Sequence, residues 1–242
     1  MKECLSGVSI PRLVKRPIQK RFNMSFYPVY VQLEGKKVVV VGGGNVARRK
    51  VLALLECGAV IHLAGRALTP ELLEMVEKKE IHFLGREFKD EYLDNAFMII
   101  AATDDKDLNH RISVCARGRG VLVNAVDQPP DCDFIVPSIL KRGDLLIAIS
   151  TSGKSPALAR RIRKGLEAQF GQEYETFLTM MGRLRKEVLS LGLPQEENSR
   201  IFQKIVDADF LENFSDGFPQ RMEAYLKNIL PEQVNLKNLW KP

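Results

Sequence analysis

Residue types that mark specialised proteins are scarce in this chain of 242 residues. The four cysteines are scattered and form no Cys-x-x-Cys pair, which argues against a disulfide framework and against a zinc or iron–sulfur site. The three histidines are too few and too dispersed for a metal cluster, and no apolar run approaches the length of a membrane span. The sequence therefore predicts a globular protein of the reducing cytoplasm, with no metal site and no membrane partner.

The chain carries a moderate excess of positive charge: it has 36 lysines and arginines and 30 acidic residues, which gives a net charge of +6 and a pI near 9.1. This balance favours an anionic partner, but no basic–aromatic motif typical of nucleic-acid binding is present. A substrate with several carboxylates would also be attracted by this positive charge. Part of the excess lies in residues 1–24, which lack periodicity and the apolar core of a secretory signal. We expect this segment to be a disordered extension.

The most informative motif is Gly-x-Gly-x-x-Ala, which follows an apolar strand predicted at 36–41. Gly42 permits a tight turn, Gly44 lets the backbone approach a pyrophosphate, and Ala47 allows close packing of helix on strand. We predict a helix at 48–57 that Gly58 stops, and its N-terminus would offer unpaired N–H groups to an anion. The pattern indicates dinucleotide binding, and its alternative is a purely structural junction of strand and helix.

Strands and helices alternate through the first half of the chain. This order favours an α/β fold of Rossmann type, with a parallel sheet covered on both faces. A short strand or lead-in segment at 27–33 precedes the alternation. The predicted core strands are 38–41, 60–63, 81–84, 97–101 and 121–126, with helices from Thr69-Pro70 to about Lys79 and from Asp104 or Asp105 through Arg117.

The pattern changes after Pro137. Two strand-like pieces lie within 138–149, a helix begins at Ser155, and only helical patterns follow Tyr174. The predicted domains are a dinucleotide-binding domain at 25–136, a mixed segment at 137–170 and a small all-helical domain at 171–242.

In an open parallel sheet, ligands bind outside the carboxyl ends of the strands. Small residues dominate three of these ends, as the close passage of a flat cofactor requires. The candidates are Gly42, Gly43 and Gly44 after the first core strand, Arg66 after the second, and Ala102, Thr103 and Asp104 after the fourth. Asp127, after the fifth, is the one potentially catalytic group. It is either a general base or, before Gln-Pro-Pro, an ordinary turn residue.

Two further features leave alternatives open. Dinucleotide-binding folds usually have an acidic residue after the second strand, which binds the adenosine ribose hydroxyls. This acidic residue is absent here, and Arg66 stands in its place. Arg66 suits a 2′-phosphate or simply flanks the adenine, so the choice between NAD and NADP stays open. Thr151, Ser152 and Lys154 precede a helix N-terminus, which would bind a carboxylate or phosphate. The alternative is a capped helix start with a solvated lysine.

Five motifs in order give the chain a family resemblance. They are Val-Val-Gly-Gly-Gly-Asn-Val-Ala-Arg-Arg-Lys at 40–50, Ala-Ala-Thr-Asp-Asp at 101–105, Asn-Ala-Val-Asp at 124–127, Phe-Ile-Val-Pro-Ser at 134–138 and Ser-Thr-Ser-Gly-Lys-Ser-Pro-Ala-Leu-Ala-Arg at 150–160. Together they resemble precorrin-2 dehydrogenase, the module that also forms the N-terminal part of siroheme synthase. The resemblance covers about residues 25–170 and implies NAD-dependent oxidation of precorrin-2 to sirohydrochlorin, on the route to siroheme.

The resemblance also implies roles for single residues. Asp127 matches the catalytic carboxylate, which takes the proton lost as hydride leaves or orients the macrocycle for that transfer. Asn45 and Val46 match the cofactor-binding turn, and Arg66 and Ala67 match the second cofactor contact. The missing acid after the second strand is usual in this family, so it supports the match.

Substrate contacts and a partner are implied as well. The substrate is a tetrapyrrole rich in carboxylates, which would use the basic balance of the chain. The family forms intertwined homodimers through a segment that is here about 138–170. The residues implied to face the substrate are Asn124, Thr151, Ser152, Lys154 and Arg160.

Two other interpretations stay open. Some relatives also insert iron into sirohydrochlorin with the same cleft and aspartate, so a bifunctional dehydrogenase and ferrochelatase is the first alternative. The second is a non-catalytic nucleotide-sensing module, which would leave Asp127 and residues 150–160 without a role. Methyl transfer is not expected from these 242 residues.

Overall fold

The computed structural model describes residues 26–208, 218–236 and 239, so the predicted extension at 1–24 lies outside it. The centre of the fold is a parallel sheet in the strand order β3-β2-β1-β4-β5. Its strands are β1 (Lys37–Val41), β2 (Val60–Ala64), β3 (His82–Gly85), β4 (Met98–Ala101) and β5 (Leu122–Ala125). This architecture confirms the predicted Rossmann-like α/β fold.

Strand β1 occupies the middle of the sheet because both of its faces are apolar. Val39 and Val41 belong to one buried cluster, and Val38 and Val40 belong to the cluster on the opposite face. A strand buried on both faces therefore has a continuous apolar run rather than an alternating one. The covering helices are α1 (Asn45–Leu55) and α2 (Pro70–Glu77) on the face of Val38, and α3 (Lys106–Gly118) on the face of Val39.

Two of these helices begin at the predicted capping residues. Thr69 Oγ1 accepts a hydrogen bond from Leu72 N at 3.5 Å, and Pro70 takes the first helical position. Asp105 Oδ1 accepts a hydrogen bond from Leu108 N at 2.9 Å. Of the two aspartates considered as caps for α3, Asp105 is therefore the cap.

Helix α1 begins earlier than predicted. Gly44 is its N-cap, with extended backbone (φ −82°, ψ −173°) and no side-chain cap bond, so the helix starts directly at Asn45. The predicted start at residue 48 is wrong because no polar capping residue marks the true start in the sequence. The helix ends at Leu55, and Gly58, with φ +74°, follows in the turn that was predicted to stop it.

The described residues 26–32 belong to a unit apart from residues 33–242. Their backbone forms no strand. Of the two alternatives for 27–33, the short strand is therefore wrong, and a lead-in segment without sheet pairing is what the structure contains.

The mixed segment forms the predicted pair of strands, β6 (Ser138–Arg142) and β7 (Leu145–Ile149), which pair antiparallel. Gly143, with φ +56°, lies in the tight turn between them. Helix α4 (Pro156–Gln169) packs on this hairpin. Arg142 Nε donates a hydrogen bond to Phe170 O at 2.8 Å, which satisfies a carbonyl at the end of the helix and ties it to the hairpin.

The remaining helices enclose an apolar core of their own. They are α5 (Glu173–Ser190), α6 (Gln195–Val206) and α7 (Phe218–Ile229). Leu184, Ile205 and Leu226 are fully buried in this core. Among the helices within the described ranges, none is long and apolar enough to cross a membrane. The domain limits at 25–136, 137–170 and 171–242 stay a prediction.

The loop after β5 folds back along that edge strand. Asp133 N donates to Val123 O at 2.8 Å, and Asp133 Oδ2 accepts from Val123 N at 3.2 Å. Arg117 Nε donates to Asp133 Oδ1 at 2.8 Å. One aspartate thus satisfies both backbone groups of Val123, and it fixes the end of the loop that carries Asp127.

Candidate cofactor and catalytic site

The three glycines after β1 have different surroundings. A Cβ on Gly42 would lie 2.2 Å from Ala102 O, and a Cβ on Gly43 would lie 1.9 Å from Ala67 O. Gly42 also has φ +128°, which other residues rarely adopt. A Cβ on Gly44 would meet nothing within 4 Å. Backbone packing therefore requires the first two glycines, whereas the open space beside Gly44 is what the close approach of a pyrophosphate needs.

The first turn of α1 offers backbone donors to an anion. Its first N–H groups have no partner one turn earlier, because the helix begins here. Gly44 provides no capping side chain, and no acidic residue lies in the first turn. The positive end of the helix dipole adds to the attraction for a phosphate. Asn45 and Val46, both predicted to bind the cofactor, lie in this turn, so the residues present fit a dinucleotide pyrophosphate.

The loop after β2 packs against the glycine turn. Thr69 N donates to Gly43 O at 2.9 Å, and Ala67 contributes the carbonyl that lies against Gly43. Arg66 is exposed, and its guanidinium lies 3.5 Å from Glu87 Oε1. The structure therefore brings the predicted second cofactor contact, Arg66 with Ala67, beside the glycines.

The loop after β4 lies on the other side of the glycine turn. Ala102 N donates to Val41 O at 2.7 Å, which continues the pairing of β1 and β4 beyond the strands. Thr103 Oγ1 donates to Asn109 Oδ1 at 2.7 Å, and Asn109 is buried on α3. Asp104 is exposed. Thr103 thus holds the loop to α3, while Asp104 is the one side chain of this predicted group that faces solvent freely.

Asp127 follows β5 at the same edge of the sheet, where the preceding Val126 N donates to Ala101 O at 2.9 Å. Asp127 has φ +59°, a left-handed conformation that is uncommon for residues other than glycine and most frequent among them for Asn and Asp. Its side chain is exposed and makes no hydrogen bond to any residue that the structure describes. The carboxylate therefore does not close the turn through a hydrogen bond, which leaves it available for proton transfer.

A polar network that sequence reasoning missed holds the Asp127 loop to α3. Asp131 is buried, and its Oδ1 lies 2.8 Å from His110 Nδ1 and accepts from Ser113 Oγ at 3.0 Å. Asp131 Oδ2 accepts from Gln128 Nε2 at 3.2 Å. The hydrogen bond from His110 lowers the pKa of Asp131, and that from Ser113 adds to this against the opposing effect of burial. The sequence places His110 and Ser113 three residues apart on α3, but this spacing does not indicate that Asp131 meets them.

Two further side chains are committed to the same loop. Asn124, predicted to face the substrate, is buried, and its Nδ2 donates to Phe134 O at 2.9 Å. Cys132 Sγ donates to Ala125 O at 3.1 Å, and burial raises the pKa of its thiol. Both side chains fix the loop that presents Asp127. A substrate contact of Asn124 stays a prediction.

The predicted second anion site is the loop between β7 and α4. Ser155 Oγ accepts from Leu158 N at 3.3 Å, and Thr151 Oγ1 accepts from Ser155 N at 3.0 Å. The capped helix start, one of the two alternatives, is therefore present. Within the described part of the chain, no hydrogen bond or ion pair joins this loop to the strand ends of the sheet. The remaining predicted residues of this loop and helix are exposed: Ser152, Lys154 and Arg160.

Two family models match consecutive parts of the chain. Residues 29–138 match a model described as NAD(P)-binding, and residues 142–169 match the central part of sirohaem biosynthesis proteins. The chain is 37% identical over 214 residues to a siroheme synthase of Photorhabdus laumondii and 38% identical over 215 residues to one of Sodalis glossinidius. These matches cover 88% and 86% of this chain but 45% and 44% of those proteins. The chain thus spans less than half the length of these relatives.

A solved structure of similar extent matches the fold. The structure of SirC, precorrin-2 dehydrogenase, matches with a TM-score of 0.69 and 28% identity, over 83% of this chain and 100% of that one. This agreement extends over the whole neighbour, and it accords with the two family models and the siroheme synthase relatives. The chain therefore belongs to the family that comprises precorrin-2 dehydrogenase and the N-terminal module of siroheme synthase.

Proposed function

We propose that this chain oxidises precorrin-2 to sirohydrochlorin with NAD as the hydride acceptor. The observation that carries the proposal is the position of Asp127 at the same sheet edge as the open glycine turn, with an exposed carboxylate that no described residue binds by a hydrogen bond. A dinucleotide fold with a base at this edge suits hydride removal from a substrate that also loses a proton.

Different parts of the chain would bind the cofactor and accept the proton. The N–H groups at the start of α1 bind the pyrophosphate, and the loops at Ala67 and Ala102 flank the cofactor. Bound there, NAD supplies the acceptor for a hydride. Asp127 receives the proton that the substrate loses when the hydride leaves a neighbouring C–H bond, and it passes this proton to solvent. The substrate gains one double bond, and one NADH and one proton are formed.

The surroundings of Arg66 favour NAD over NADP. A 2′-phosphate would need a cation that is free to bind it, whereas Arg66 has the carboxylate of Glu87 at 3.5 Å. Both side chains are largely exposed, so this is a preference of modest size.

We propose further that the active form is a homodimer in the cytoplasm. Three large apolar side chains of the hairpin and α4 segment are exposed: Ile139 on β6 (49%) and Leu158 and Ile162 on α4 (48% and 40%). A two-stranded hairpin has little stability by itself, and apolar groups of this size favour a covering partner. A second copy would also supply residues 150–160 to the Asp127 edge, which their own copy reaches by no hydrogen bond or ion pair within the described residues. The free thiols of Cys57, Cys115 and Cys132 suit a reducing compartment.

The decisive experiment follows the reaction directly. Purified protein receives precorrin-2 and NAD under anaerobic conditions, and NADH and sirohydrochlorin are followed by absorbance. We expect equal amounts of the two products. If neither forms, the proposed activity is wrong.

The Asp127→Ala variant tests the role of the carboxylate. We expect kcat to fall by at least about a hundredfold, the usual contribution of a general base, with the Kd for NAD within about twofold of wild type. Asp94→Ala is the matched control, because Asp94 is an exposed aspartate at the opposite, amino-terminal end of β4. Unchanged turnover of Asp127→Ala would remove this residue from the reaction.

A further inference from the structure

Lys50 is a half-buried cation on α1 that the proposed reaction does not yet use. It lies four residues after Val46, so both occupy one flank of the helix, a single turn apart. The two basic residues before it in the helix have different surroundings. Arg48 pairs with Glu71 at 3.5 Å and Arg49 is exposed, whereas Lys50 has neither an ion pair nor a hydrogen bond within the described residues.

The Asp127 loop and α1 pack on the same apolar cluster, on one face of the sheet. Val126 and Phe134 of the loop pack on the same apolar cluster as Ala47 and Val51 of the helix. The charge of Asp127 acts on the Lys50 ammonium, as does the thiol of Cys132. Lys50 and Asp127 thus carry opposite charges that attract each other, and neither side chain makes a hydrogen bond to a residue that the structure describes.

An ammonium in this position is unfavourable in the protein alone. Burial lowers the pKa of Lys50 below its ordinary value, and the neighbouring Arg49 lowers it further, whereas Cys132 and Asp127 raise it. A charged group that loses water and gains no partner destabilises the fold. A methionine would cover the same apolar surface of α1 without that penalty. A lysine here is therefore explained by an anionic group that arrives with a ligand.

We propose that Lys50 binds a carboxylate of the tetrapyrrole substrate and thereby places the macrocycle against Asp127. The inference rests on the proposed function, which supplies a substrate rich in carboxylates. The pyrophosphate of the cofactor is not the partner, because Lys50 lies one full turn below the start of α1, where the backbone donors of the cofactor site end. The contact fixes the distance between the reacting carbon and the base, so it determines which carbon of the ring loses its proton.

The test compares Lys50→Met and Lys50→Arg with Arg49→Met, which removes the same charge from the exposed neighbouring position. For Lys50→Met we expect KM for precorrin-2 to rise about tenfold or more, as for loss of a hydrogen bond between charged groups. We expect the KM for NAD to equal that of wild type. We expect the melting temperature not to fall below that of wild type, because the substitution removes a half-buried charge. Lys50→Arg recovers most of the affinity, and Arg49→Met stays within about twofold of wild type.

A binding experiment keeps this inference separate from the proposed activity. Sirohydrochlorin, which carries the same carboxylates, is titrated into NAD-free protein and followed by its absorbance. We expect Lys50→Met to raise the Kd for sirohydrochlorin by about the same factor as it raises the KM for precorrin-2. If wild type binds sirohydrochlorin through Lys50 but forms no NADH, the proposed activity fails and the carboxylate contact stands.

Two results would overturn the inference. Unchanged KM and Kd in Lys50→Met would show that no substrate carboxylate meets this residue. A fall in kcat alone, with KM and Kd unchanged, would instead make Lys50 a positioning residue for Asp127.

Discussion

Asp127 holds a left-handed backbone conformation that a glycine would adopt with less strain. Strain of this kind costs on the order of 1–3 kcal/mol and persists where the surrounding structure leaves no alternative. Here the hydrogen bond of Val126 to β4 and the Asp131 network fix the loop on both sides. An acidic side chain retained under strain, with no hydrogen bond to any part of the chain that the structure describes, is explained by the ligand that it meets.

The glycine turn allows a prediction that separates folding from binding at adjacent residues. Gly44→Ala places a methyl group in open space on an ordinary backbone conformation, so we expect an unchanged melting temperature. The same methyl group occupies the path of the pyrophosphate, so the Kd for NAD rises about tenfold or more. Calorimetry of NAD binding and thermal unfolding measure the two effects.

Gly42→Ala is the matched comparison. Its methyl group would lie 2.2 Å from Ala102 O at φ +128°, so we expect a loss of roughly 2–4 kcal/mol in the free energy of unfolding. Equal destabilisation by both substitutions would contradict the distinct parts assigned to the two glycines.

Single residues differ in how far the sequence reveals them. Asp127 could be singled out because the end of a parallel strand is a position with a defined location in space, whatever the rest of the fold does. Asp131 could not, because its partners His110 and Ser113 lie on another element, and nothing in the local pattern brings them together. Likewise, a strand-end asparagine such as Asn124 has the same sequence signal whether it binds substrate or Phe134 O.

At the scale of elements, the loop between β5 and β6 is the part that positions the base. It is irregular, yet Asp131, Asp133 and Asn124 bind it to α3 and β5 through side-chain hydrogen bonds. The folded state lowers the pKa of Asp131 chiefly through the hydrogen bond from His110, so the ionised carboxylate is the form that holds the loop to α3. We therefore expect the position of the Asp127 loop to depend on pH through Asp131.

The Asp131→Asn variant tests this dependence. The folded state lowers the pKa of Asp131, so its ionised form stabilises the protein above its ordinary pKa, and this contribution is lost as pH falls through the lowered value. We expect Asp131→Asn to lower the melting temperature by about 5 °C at pH 7, and the gap to wild type to narrow below about pH 4. Thermal unfolding from pH 3 to 8 measures it. Asp94→Asn serves as the control, and a gap that is constant with pH would contradict the assignment.

Helix α1 illustrates what the sequence conveys about an element. Its apolar spacing identified the helix and Gly58 identified its stop, because both are local properties. Its start was displaced because Gly44 caps the helix by backbone conformation alone, and a glycine gives no side-chain signal for that. The start of α3, by contrast, was predicted at Asp104 or Asp105, and Asp105 makes the capping bond with its carboxylate.

At the scale of the molecule, the stripe on α4 shows a limit of the same reasoning. The spacing of Leu158, Ile162, Leu166 and Phe170 predicts one apolar face, but spacing does not tell which element covers it. In the structure, Leu166 and Phe170 are partly buried, whereas Leu158 and Ile162 are exposed. The exposed half of the stripe is the surface that we assign to a second copy of the chain.

Ile162→Asp tests that assignment. A charge in an apolar interface would be desolvated without a partner, so we expect a monomer at micromolar concentrations where wild type is a dimer. Sedimentation velocity distinguishes the two states. Val206→Asp is the matched control, because Val206 is 57% exposed on α6, an element outside the hairpin and α4. A dimer that survives Ile162→Asp and dissociates with Val206→Asp would place the interface on the helical core instead.

The turn of Asp133 back onto β5 has a consequence for how the chain behaves among other chains. An outer strand with unsatisfied N–H and C=O groups invites pairing with a strand of another molecule, which leads to aggregation. Asp133 occupies both groups of Val123, and its own carboxylate is held by Arg117. This flank of the sheet is thereby closed to strand addition, so the loop that presents the base also protects the protein from uncontrolled assembly.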